Sequence, residues 1–146
     1  MTSPLKRLTG TLLMAMALGA AAPALAQSKS DTLGTPQSLL DGTDFNYQYQ
    51  NGHAIHARFA DGDIEYRWIR GPNASDSYKR YPYQSRQIRS GLVLIQWHED
   101  NLDNLITLVV DLDTHAVASS AIVRYRQEKP IIAFQGGTIE NLKDKR

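Results

Sequence analysis

FNYQYQNGHAIHARF, residues 45–59, is the stretch whose reading decides how this chain folds. Phe45, Tyr47 and Tyr49 alternate with Asn46, Gln48 and Gln50, the period-two pattern of a half-buried strand whose successive side chains point to opposite faces. Asn51-Gly52 tolerates positive φ, and a second alternating run follows at once: Ile55, Ala57 and Phe59 against His56 and Arg58. The pair reads as a β-hairpin. A two-residue loop at Asn51-Gly52 would set Tyr47 opposite His56 and scramble the faces. A three-residue loop, Gln50-Asn51-Gly52 with Gly52 left-handed in a bulge, pairs Tyr47 with Ile55 and Phe45 with Ala57. All the apolar residues then share one face, so this loop is expected.

Upstream, Met1 to Ala26 has a short basic opening (Lys6, Arg7), an apolar run from Leu12 to Ala22, and Ala24-Leu25-Ala26 before Gln27. This is the layout of a secretory signal peptide, cleaved after Ala26; the apolar run falls short of the ~20 residues that span a bilayer. The chain has no cysteine, so neither a lipid anchor nor a disulfide is available. The mature protein is expected to be soluble and exported, to the periplasm or beyond the cell. Removing Lys6 and Arg7 takes the basic count from 16 to 14 against 15 acidic residues and moves the formal net charge from +1 to −1. Such a balance attracts no nucleic acid. What remains is one domain of about 120 residues, within the usual range for a single core.

Residues 27–34 are polar and read as a flexible segment. Thr35-Pro36-Gln37-Ser38-Leu39-Leu40-Asp41-Gly42 reads as a short helix with Thr35 as cap, Pro36 in the first position and Gly42 as terminator; Leu39 and Leu40 would plug one end of the sheet. After the hairpin, Ala60-Asp61-Gly62 turns into a third strand from Asp63 to Arg70, broken by Gly71-Pro72-Asn73. A fourth, less regular strand runs through Tyr78, Tyr81, Tyr83 and Ile88, with Pro82 suggesting an edge or a bulge. Leu92 to Glu99 and Leu105 to Asp111 are nearly continuous apolar runs, which suit strands buried on both faces. A seventh strand covers Ala116 to Tyr125 and an eighth starts at Ile131, before a polar tail at 141–146. Short strands with turns every ~8–12 residues, joined consecutively, point to an all-β, up-and-down barrel of eight strands at 35–140, with room inside for side chains or one small ligand.

Phe45-x-Tyr47-x-Tyr49-x-Asn51-Gly52, then Glu65-Tyr66-Arg67, then Trp97-x-Glu99, in that order on a small barrel, resembles the calycin-type group that contains phenolic acid decarboxylases and MoaF-like domains. The similarity covers roughly Leu39 to Val123. In the decarboxylases a tyrosine pair on the first strand, an arginine on the third and a glutamate after a tryptophan line the pocket, and no cofactor is used. By resemblance the catalytic roles fall on Tyr47, Tyr49, Arg67 and Glu99, with Trp97 joining them in ligand binding. Tyrosine hydroxyls and an arginine fork can hold a carboxylate, while a carboxyl group in an apolar pocket keeps a proton to donate. MoaF-like domains keep similar residues without an established reaction.

Three functions therefore stand side by side: a barrel that binds a small carboxylate-bearing or aromatic ligand, a cofactor-free lyase, and an interaction module using the outer sheet face. The export signal, and a polar Glu99–Asn104 loop where the decarboxylases have a glutamate-proline-x-glycine turn, favour binding. No metal site is expected, because His53 and His56 fall on opposite faces of a strand. The outer face of Leu92, Leu94 and the 105–110 run needs a cover, either a homodimer or the Thr35–Asp41 helix with the N-terminal segment.

Arg67 divides pattern from resemblance. A two-residue turn at Asp61-Gly62 pairs Phe59 with Ile64 and Ala57 with Tyr66, sending Tyr66 and Trp68 inward and Arg67 to solvent. A three-residue loop, Ala60-Asp61-Gly62, pairs Ala57 with Glu65 and Ile55 with Arg67 and puts the charge inside. The resemblance requires the second register, so an inward Arg67 is expected. It would be matched by Glu99 or Glu65, because an unpaired buried charge costs several kcal/mol. Tyr66 and Trp68 would then lie on the outer surface.

Overall fold

The alternating run and its mirror form β1 (Thr43–Tyr49) and β2 (Ala54–Ala60) in a computed structural model of the protein, which describes residues 37–145. Phe45 pairs with Ala57 and Tyr47 with Ile55. Gly52 closes the three-residue loop with a φ of 83°, and the Tyr49 N–H donates to the His53 carbonyl at 2.9 Å. The expected register is the one formed. The signal segment, its cleavage site, residues 27–34, Thr35 and Pro36 lie outside the described residues.

From 37 to 42 the chain makes a turn, not the expected helix. Its polar backbone groups are taken by β4 (Lys79–Arg89): the Leu39 N–H donates to Ser85 Oγ at 2.8 Å and the Leu40 N–H to the Tyr83 hydroxyl at 3.0 Å. Those two donors are taken from any helical ladder, and the Asp41 N–H closes a tight turn on the Ser38 carbonyl at 3.2 Å. Leu40 is nevertheless fully buried and belongs to the core, with Leu39 packed against it.

The remaining strands are β3 (Asp63–Arg70), β5 (Leu92–Glu99), β6 (Asn104–Asp111), β7 (Ala116–Val123) and β8 (Ile131–Asp144). Each pairs antiparallel with its sequence neighbour, and β8 pairs with β1 to close a barrel in the order β1 to β8. Among the described residues there is no α-helix. Thr43 and Asp44 offer partners to Asp144 and Lys143, so most of the stretch expected as a polar tail is strand.

Alternate residues of every strand turn inward. Phe45, Phe59, Ile64, Ile95, Leu108 and Val110 fill the barrel around Leu40. On β5 and β6 the outward Leu92, Leu94, Leu105 and Val109 are half-buried, and Leu94 faces Val109 across the strands. Among the described residues the largest outward apolar exposure lies instead on β8, where Ile132 and Phe134 are each 79% exposed.

Candidate functional site

The inward faces of the strands converge on one cavity, and three of the strands bring its tyrosines, tryptophans and carboxylate. β1 supplies Tyr47 and Tyr49, β3 supplies Tyr66 and Trp68, and β5 supplies Trp97 and Glu99, all on the inward phase of their strands. They line a cavity of about 250 Å³ that reaches Asn73 and Lys79 at the β3–β4 connection. β3 and β4 pair over only Asp63–Tyr66, so the wall is open above that point.

Glu99 is 2% exposed. Its Oε1 accepts a short hydrogen bond from the Tyr66 hydroxyl and another from Trp97 Nε1 at 3.1 Å, while Oε2 accepts from Asn104 Nδ2 at 2.8 Å. The geometry follows from the sheet: Trp97 and Glu99 are two apart on one strand face, and Asn104 stands directly opposite Glu99 in the β5–β6 ladder. Trp97 and Asn104 offer only N–H groups here, which suits the acceptor-only carboxylate form. Among the described residues no Lys or Arg forms an ion pair with Glu99.

The phenols are held neutral. Burial raises the Tyr47 pKa well above its ordinary value, with Tyr49 adding to it. Burial also raises Tyr49, against hydrogen bonds from Ser119 and Tyr47 that work the other way. For Tyr66, burial comes first and the negative charge of Glu99 second, and both raise it. Edge-to-face packing fixes Tyr47 against Tyr49, with ring centres 5.2 Å apart, and Tyr66 lies 6.0 Å from Trp97. Lys79 places its Nζ 5.7 Å from the Tyr66 ring centre.

Tyr47, Tyr49, Trp97 and Glu99 are thus brought together, and Arg67 is not. The β2–β3 turn is the two-residue form, with Asp61 at φ 55° and Gly62 at 79°. It pairs Phe59 with Ile64, Ala57 with Tyr66 and His56 with Arg67. This corrects the expectation of an inward Arg67 and of an outer Tyr66 and Trp68. Burying two large rings outweighs a register that would bury a charge. Arg67 pairs with Asp76 at 3.1 Å and lies 5.4 Å from the Tyr78 ring centre, so no Arg67–Glu99 bridge forms.

Tyr66, Trp68, Asn104 and Ser119 belong to the site and were not singled out from the sequence as lining it. The Asp-Gly turn was the signal for the first two. Asn104 reads as loop until its pairing with Glu99 is known. Among the described residues no group of three metal-ligating side chains converges, and His56 is turned outward to Asp44 at 3.1 Å.

A family model described as MoaF-like matches residues 41–137. No curated protein matches the chain. Among solved structures, a crystal structure of a putative beta-lactamase from Burkholderia vietnamiensis is similar at a TM-score of 0.61 and 14% identity, covering 73% of this chain and 98% of that one. At that identity the likeness is one of fold alone.

Proposed function

The chain belongs to the MoaF-like family, and from that premise we propose that it is a binding protein for a small aromatic molecule, exported and freed of residues 1–26 before it works. The observation that supports this reading is the cavity of about 250 Å³ left unfilled among Tyr47, Tyr49, Tyr66 and Trp97. Small apolar pockets with a few convergent polar groups are the usual form of a ligand site. A barrel filled by its own side chains would have favoured an interaction module. The lyase alternative asks Glu99 to give a proton to substrate and Arg67 to hold a carboxylate. Glu99 faces two groups that only donate, and Arg67 pairs outside the barrel, so binding without turnover is the better-supported reading. The carboxylate-bearing ligand implied by the resemblance loses its arginine for the same reason.

A thermal-shift series tests it. Single-ring aromatic compounds, charged and neutral, are compared with aliphatic compounds of equal size on the purified protein. A ligand at 100 times its Kd stabilises the native state by about 2.7 kcal/mol, so at least one aromatic class should raise Tm by several degrees while the aliphatic set does not. A flat response to every aromatic compound at millimolar concentration would remove the proposal.

A further inference from the structure

We propose that the ligand carries an organic cation, an ammonium group attached to or near an aromatic ring, and that Glu99 is its counter-ion. This deepens the binding reading above and rests on it. A carboxylate offers about four acceptor positions; Tyr66, Trp97 and Asn104 occupy three of them on Glu99, two on Oε1 and one on Oε2. One position on Oε2 remains open, and Glu99 lines the cavity. The neutral donors satisfy hydrogen bonding without cancelling charge, and no protein cation pairs with this carboxylate among the described residues. The chain therefore holds one half of an ion pair on a carboxylate that is itself almost fully buried at the wall of an open cavity.

The walls point the same way. Tyr47, Tyr49, Tyr66, Trp68 and Trp97 all line the cavity. Among the described residues only the Tyr66 ring of these five carries a protein cation, Lys79; the other cation–ring contacts involve Tyr78 and Tyr125 outside the site. Aromatic faces grouped around a carboxylate attract an ammonium group through both the ring quadrupole and direct charge. A ligand carboxylate, by contrast, would set a second negative charge beside Glu99 with no arginine between them. Lys79 is exposed, so its repulsion of an incoming cation is screened by water.

Three probes of one shape separate the possibilities on the purified protein by titration calorimetry: phenethylamine, 2-phenylethanol and phenylacetate. The amine is expected to bind about tenfold or more tighter than the alcohol, the range of a charge-assisted hydrogen bond, and phenylacetate weakest. Glu99→Gln should erase the amine's advantage over the alcohol. If none of the three binds, the aromatic-ligand reading itself falls, and this inference with it. If the alcohol or phenylacetate binds as tightly as the amine, this inference alone falls and aromatic binding stands. An amine preference that persists in folded Glu99→Gln overturns the role of Glu99. Should that variant fail to fold, the comparison of the three probes on the unaltered protein still decides the charge of the ligand.

Discussion

Tyr47, Tyr49, Tyr66 and Tyr83 are each buried, and in each case burial is the leading cause of a raised pKa. An unfolded chain ionises its tyrosines near pH 10, whereas the folded barrel keeps these phenols protonated. Their contribution to stability is thus complete below about pH 10 and is lost as pH rises beyond it, because only the unfolded state gives up the proton. In a spectrophotometric titration these tyrosines should stay silent until the barrel opens, so that their ionisation coincides with loss of the β-sheet circular dichroism signal. Complete tyrosinate formation with that signal intact would contradict the burial argument. The same residue scale shows why Glu99 was recognisable and its partners less so. Trp97-x-Glu99 places two polar atoms on one face by strand geometry alone, while the hydroxyl of Tyr66 comes from a residue 33 positions away.

At the scale of elements, the two hairpins give opposite lessons. In β1–β2 the alternation of both strands admits one register with all apolar residues together, and that register forms. In β2–β3 two registers compete, and the turn decides: Asp61 and Gly62 both take positive φ, the conformation whose twist matches that of the flanking strands. The Gly62 N–H is also held by Asp41 Oδ2 at 2.9 Å, tying the turn to the segment around Leu40. Gly62→Ala forces a side chain into the left-handed region at a cost of about 1–2 kcal/mol, since the neighbouring Ser38 Oγ at 3.3 Å leaves room for the methyl group with little adjustment. Urea denaturation should show the midpoint falling with the slope unchanged. A variant as stable as the parent would mean that the turn does not set the register.

At the scale of the whole barrel, closure depends on β8 meeting both β7 and β1. Gly137 pairs with Val117 on one side and Tyr49 on the other, and a Cβ there would lie 2.3 Å from the Gln48 carbonyl oxygen. Backbone cannot retreat as a side chain can, so Gly137→Ala should cost on the order of 3 kcal/mol, measured by chemical denaturation, and should weaken any ligand that rests on Tyr49. A loss under about 0.5 kcal/mol, no larger than an ordinary surface change, would show that the seam yields. Family resemblance placed Trp97 and Glu99 in the pocket; the period-two alternation of the chain, with Gly and Asn-Gly or Asp-Gly at the turns, was enough by itself to determine eight consecutive strands, the barrel class, the first hairpin and the common face of Tyr47 and Tyr49. These follow from local geometry, in which the phase of one strand is set by its own residues. Only the tertiary structure decided that Arg67 points outward, that Asn104 reaches Glu99, that residues 37–42 form a turn, and that a cavity stays open. Each of those depends on cross-strand register and on weighing the burial of rings against the desolvation of a charge, sums taken over residues far apart in the chain.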